Sequence, residues 1–205
     1  MDDNRRVKPS RIGAARIAAV AVAAAIALTG CSSSEPDEKP AATAVTPKGF
    51  DVPAGVTLTK GGTALAVGSP ATVVDELAGQ PASAVTVTVT KVKRGSIDDF
   101  TFFSLDEATK KSAPYYVTVN VRNEGPAGLG GSALPIYAND DTNTNLPASD
   151  IVGEFKPCPR SSLPDTFLPG AAADLCLVYL VPEGRTLNTI ILQTGETKDA
   201  ITWKP

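Results

Sequence analysis

Valine and threonine alternate from Ala84 to Lys91: Val85, Val87 and Val89 fall on one face of an extended chain, and Thr86, Thr88 and Thr90 on the other. A two-residue period in β-branched side chains predicts a strand with one face toward a core. The pattern returns from Tyr115 to Arg122, where Tyr115, Val117, Val119 and Val121 share a face and Tyr116, Thr118, Asn120 and Arg122 take the other. Asn123-Glu124-Gly125 then breaks it. Leu175 to Val181 is apolar at both parities, which predicts a strand covered on both sides. Leu187 to Gln193 and Ile201 to Trp203 read as the last strands. Shorter candidates lie at Leu65–Val67, Thr72–Asp75, Thr101–Phe103 and Leu134–Tyr137. One helix is predicted from Ser104-Leu105-Asp106-Glu107, which fits a capping box with Ser104 as N-cap and Glu107 at N3. Lys110 and Lys111 sit where a helix C-terminus favours cations, and Pro114 follows. Two turns make it a connector. About eight short strands with Gly and Pro turns predict an all-β fold, an antiparallel β-sandwich, over residues 63–205.

The N-terminal thirty residues follow a different pattern. Arg5, Arg6, Lys8, Arg11 and Arg16 precede an unbroken apolar run from Ile17 to Leu28, twelve residues long. That run is too short for a membrane span of about 20 residues and suits the apolar region of a signal peptide. Leu28-Thr29-Gly30-Cys31 follows directly and closely resembles the lipobox of bacterial lipoproteins. The resemblance implies a diacylglyceryl group on the Cys31 thiol, cleavage that makes Cys31 the first mature residue, and a membrane tether through that lipid. Two or more acyl chains hold a protein stably where one does not. Arg5-Arg6 hints at twin-arginine export, but Pro9 and the missing apolar residues after the pair favour the general secretory route.

Residues 31–62 then read as the lipidated cysteine and a solvated tether: Ser, Pro, Ala, Thr and charge dominate, with Pro36, Pro40, Pro47 and Pro53 stiffening it in part. From about Thr63 the strand patterns begin. Three segments carry a second resemblance: Val85–Thr90, Tyr116–Gly125, and Leu168-Pro169-Gly170 leading into Leu177–Pro182. Together they look like the immunoglobulin-like domain of unknown function found in Gram-positive and actinobacterial lipoproteins. That family implies an Ig-like sandwich without catalytic residues. This chain departs from it in the long 126–170 region and in the pair Cys158 and Cys176. The only tryptophan, Trp203, lies near the C-terminus and not between the cysteines, so the antibody subtype is excluded.

Composition narrows the chemistry. The 205 residues include no histidine, which removes Ser-His-Asp and Cys-His triads and every His-ligated metal site. Removing residues 1–30 leaves 14 basic and 20 acidic side chains, a net charge of −6. Such a domain lacks the basic stripe a nucleic-acid binder needs, and it gains no electrostatic hold on an anionic membrane surface.

With Cys31 acylated, Cys158 and Cys176 remain as an even pair outside the cytoplasm, which predicts a disulfide. It would pin the loop around Pro157-Cys158-Pro159 to the strand bearing Cys176. No Cys-x-x-Cys spacing and no histidine support a redox or metal pair. Asp141, Asn143 and Asn145 stand at positions 1, 3 and 5 of a calcium loop, but Leu146 and Val152 occupy positions that demand Gly and Glu. Residues 139–145 therefore read as an Asx-rich turn, with a cation site of oxygen ligands other than an EF-hand as the alternative. The acids Asp98-Asp99, Asp106-Glu107 and Asp140-Asp141 are adjacent pairs, the usual form of a solvated surface. Tyr116, opposite the valine face, is the candidate exposed recognition anchor. No catalytic residue, metal or cofactor is expected. The sequence points to a lipid-anchored module on the extracytoplasmic face of the cell membrane, binding an envelope protein or a small envelope ligand. The alternatives are a carboxylate-dependent envelope hydrolase directed at glycans and a passive accessory subunit of a membrane complex.

Overall fold

A computed structural model describes residues 44–75 and 81–205. The leader, Cys31, the first part of the tether and the 76–80 connection lie outside the described residues. Among the described residues there are nine strands: β1 (Ala64–Ala66), β2 (Pro70–Asp75), β3 (Ser83–Arg94), β4 (Ala113–Asn123), β5 (Ile136–Asp140), β6 (Asn145–Pro147), β7 (Ala172–Val181), β8 (Leu187–Leu192) and β9 (Ile201–Lys204). They form a four-stranded sheet in the order β2-β3-β4-β7 and a five-stranded sheet in the order β1-β9-β8-β5-β6. The fold is an all-β sandwich, as the alternating valines predict. Every pairing is antiparallel except β1 with β9, which is parallel.

The valine faces meet between the sheets. Val85, Val87, Val89, Val117, Val119, Val121, Leu177 and Tyr179 pack there against Ile136, Ile190, Leu192, Ile201 and Trp203. Trp203 is fully buried, and its indole N–H donates to the Ser69 carbonyl at 2.8 Å. The Tyr179 hydroxyl crosses from β7 to the carbonyl of Ile136 on β5 at 2.9 Å. Each large ring thus buries its apolar body while its polar tip is satisfied.

Three local readings are corrected. Residues 101–103 form a turn and not a strand. β6 had no visible pattern, because three residues are too few to show a period. The connector helix from Ser104 is absent. Its place is taken by two 3₁₀ turns, Ile97–Phe100 and Thr109–Lys111. The capping box sits one element earlier, where the Ser96 hydroxyl accepts from the Asp98 N–H and the Asp99 carboxylate accepts from the Ser96 N–H. Glu107 instead forms an ion pair with Lys110 at 2.6 Å.

A bulge interrupts β3. Val89 pairs with Val119 and Lys91 with Thr118, so Thr90 is one residue too many. The extra residue shifts the phase of the strand. Val92 takes the inward position that Lys91 would otherwise hold, and packs on the core.

Both edge strands of the four-stranded sheet are covered. Beside β2, the Thr59 N–H donates to the Thr72 carbonyl at 2.7 Å, and the Thr72 N–H donates to the Thr59 hydroxyl at 2.9 Å. The end of the segment expected as tether is therefore bonded to the sheet. Beside β7, the Ser149 N–H donates to the Val178 carbonyl and the Cys176 N–H to the Arg160 carbonyl. A bare row of ladder groups is an aggregation template, and these two segments remove it.

Candidate functional site

The outer face of the four-stranded sheet carries a second apolar cluster. Tyr116 on β4 and Val178 on β7 are cross-strand partners, and Phe100, Phe155 and Cys158 pack over them. Phe155 is the hub. Its ring stacks on Phe100 at 4.7 Å between centroids and meets Phe103 and Tyr116 edge-on at 5.7 and 5.8 Å. Stacked and edge-on pairs of this kind add roughly 0.5–1.5 kcal/mol each beyond their buried area.

This cap overturns the expectation for Tyr116. Strand parity does place it opposite the valines, but it is buried, with 6% of its surface exposed. Its hydroxyl donates to the Asp99 carboxylate at 2.8 Å. That hydrogen bond, followed by one from the Ser96 amide, holds the Asp99 carboxyl below the usual range. Burial, then the same bond to Asp99, pushes the Tyr116 hydroxyl well above the usual phenol value. Tyr116 is a brace that fastens the 3₁₀ turn Ile97–Phe100 to the sheet. Gly95 makes room for it, since a Cβ there would lie 2.6 Å from the tyrosine ring.

Cys158 and Cys176 are joined in a disulfide, with Cα atoms 5.1 Å apart. It fixes the 149–160 loop to the edge strand it covers. Phe155 to Cys158 forms a turn, closed by the Cys158 N–H donating to the Phe155 carbonyl at 2.9 Å, where the flanking prolines suggest extended chain.

The cap's rim exposes apolar side chains. Phe102 is 97% exposed and Val152 is 87% exposed. Phe102 stands between Thr101 and Phe103, which line a cavity of about 230 Å³ with Ile97, Phe100 and Leu105. Val152 lines a neighbouring cavity of about 270 Å³ with Phe103, Leu105, Ile151 and Leu180. The sequence places Phe102 in the strand candidate Thr101–Phe103. Only the turn at residues 101–103 turns it outward, and no period in the sequence marks that turn.

The acidic pairs serve local structure. Asp98 accepts from the Ser96 hydroxyl at 3.2 Å, and Asp106 from the Thr109 N–H at 2.7 Å. Residues 141–144 form the β5–β6 turn, with Asn143 at φ 61°, and Asn139 pairs with Asn145 across it. The buried Asp140 accepts from the Thr142 hydroxyl and N–H, the Thr144 N–H and Arg185. Burial raises this carboxyl, but those donors outweigh it and hold it well below the usual range. Among the described residues, no group of three or more His, Cys, Asp or Glu side chains is placed to hold a metal ion. Nor, among those residues, is any helix long and apolar enough to cross a membrane.

Compared with family models, curated proteins and solved structures, the chain matches none.

Proposed function

We propose that this protein is a lipid-anchored lipoprotein of the cell envelope, tethered through Cys31, which displays an Ig-like sandwich as a binding module for another envelope protein. The observation that carries the reading is the rim formed by Phe102 and Val152. An aromatic ring at 97% exposure leaves apolar surface in water with no return in stability. It stands on a scaffold made stiff by the disulfide and the aromatic stack, and a rigid, exposed aromatic is the typical anchor of an interface. Support for the address comes from Leu28-Thr29-Gly30-Cys31 and from the disulfide, which suits an oxidising compartment.

Two measurements test this. Mass spectrometry of the membrane-purified protein should find a diacylglyceryl-modified Cys31 at its N-terminus, and Cys31→Ala should abolish both modification and cleavage. A photo-crosslinking residue at position 102 should capture a discrete envelope protein, whereas one at exposed Lys204, on β9, should not. An unmodified N-terminus removes the anchor, and equal capture from both positions removes the binding rim.

A further inference from the structure

β3 is longer than the strand beside it. Its pairing with β2 ends at Thr88, opposite Pro70, and the Gly68 N–H reaches the Val89 carbonyl. Beyond that point lie the bulged Thr90 and then Lys91–Arg94, which pairs with β4 on one side, and among the described residues no strand lies on the other. The sheet's two terminal edges are covered by Thr59 and by the disulfide loop. This stretch is left open. At about 3.4 Å per residue it is roughly 17 Å long, enough for a strand of ordinary length.

The side chains along it are cationic. Lys91, Lys93 and Arg94 are exposed, and none of them enters an ion pair among the described residues. The bulge at Thr90 sets Lys91 and Lys93 on the outer face. There they line a groove of about 390 Å³ with Tyr116, Thr118, Pro157 and Cys176. One carboxylate, Asp99, also borders that groove, but it is already engaged by Tyr116 and Ser96. Three cations in four residues, of which Lys93 also interacts electrostatically with Asp99, contrast with a mature chain of net charge −6.

We propose that the Thr90–Arg94 edge is a docking site for an extended, acidic segment of a partner protein, which joins the four-stranded sheet as a fifth strand. The ladder groups demand an extended backbone. The lysines demand carboxylates on alternate residues of that strand, which is the spacing that places them on one face. Edge lysines also keep identical edges apart. The same charge repels a second copy of β3 and attracts an acidic strand. This site is separate from the Phe102 rim and stands or falls without it.

Hydrogen exchange on the intact purified protein tests the proposal, with two blocked peptides as probes, Glu-Val-Glu-Val-Glu-Val and Lys-Val-Lys-Val-Lys-Val. The Glu peptide should slow exchange within residues 90–94, and the Lys peptide should not. The double variant Lys91→Glu with Lys93→Glu alters only exposed positions. It should weaken the Glu peptide about tenfold at low salt and acquire binding of the Lys peptide. The proposal is overturned if neither peptide at millimolar concentration slows exchange there, if both act equally, or if protection falls on residues 97–105 and 149–152 instead.

Discussion

β4 has two buried faces, and they are built by different means. The inner face is aliphatic: Val117, Val119 and Val121 meet residues delivered mostly by other strands and held by the sheet pairings, with Leu129, Leu163 and Phe167 added from loops. The outer face is aromatic and roofed by loops, which have no ladder of their own. A capping box at Ser96, the Tyr116–Asp99 hydrogen bond and the Cys158–Cys176 bond replace it. Regular structure therefore supplies the core's order through many weak, repeated contacts. The cap's order depends on a few specific ones, each of which can be removed singly.

Trp203→Ala attacks the inner face and should have the largest effect, a loss of about 3–5 kcal/mol in denaturant unfolding. A loss under 1 kcal/mol would show that the sandwich does not depend on its largest fully buried side chain. Reduction of Cys158–Cys176 attacks the outer face. Closing a loop with a sequence separation of 18 corresponds to ~3 kcal/mol on chain-entropy grounds. The melting temperature should fall, and exchange should accelerate first at Cys176 and in the 149–160 loop while Val119 stays protected. Alkylation of both thiols in the folded, unreduced protein would contradict the bond itself. Tyr116→Phe keeps the ring and deletes the hydroxyl, which should cost about 1 kcal/mol and let the Asp99 carboxyl rise toward its ordinary value, visible by carboxyl NMR titration.

Acid compares the two regions without mutation. Asp99 and Asp140 both have carboxyl pKa values lowered in the fold, so their contributions are complete above the unfolded carboxylate value of about 3.9 and vanish as pH falls through the folded values. Stability should decline below pH ~4, and Asp140→Asn should flatten that decline; an unchanged slope would assign the acid sensitivity elsewhere. The smallest effect belongs to Phe102→Ser. Its ring touches little, so stability should stay within about 0.5 kcal/mol of the wild type, while crosslinking through the rim is lost.

The inner face was legible because strands announce themselves by period. Val85, Val87, Val89 and Val117, Val119, Val121 gave both the sheet and its core side. Leu175–Val181, apolar at both parities, even foretold that something covers the outer face. What covers it was not legible, because Phe100, Phe103 and Phe155 sit in turns and loops that impose no spacing. Tyr116 was misjudged for that reason: parity fixes direction, not what waits there. The misplaced helix has a similar cause. Ser104-x-x-Glu107 and Ser96-x-x-Asp99 both satisfy a cap at the level of letters, and only tertiary fastening by Tyr116 selects the second. The cysteine pair was readable from count and compartment. The bulge left a trace that local inspection can recover, since the valine spacing slips from two to three between Val89 and Val92.

That slip means that β3 carries one residue more than strict alternation needs. Thr90 is exposed, and its hydroxyl donates to the Thr118 carbonyl at 3.2 Å, so most replacements at the codon would be absorbed. Loss of the codon would be absorbed as well. With Thr90 gone, Lys91 follows Val89 directly and strict alternation returns, so Lys91 and Lys93 stay outward, Val92 stays inward, and the pairs Val89–Val119 and Lys91–Thr118 are kept. Homologous chains should therefore be found with either the present number of residues between Val89 and Gly95 or one fewer.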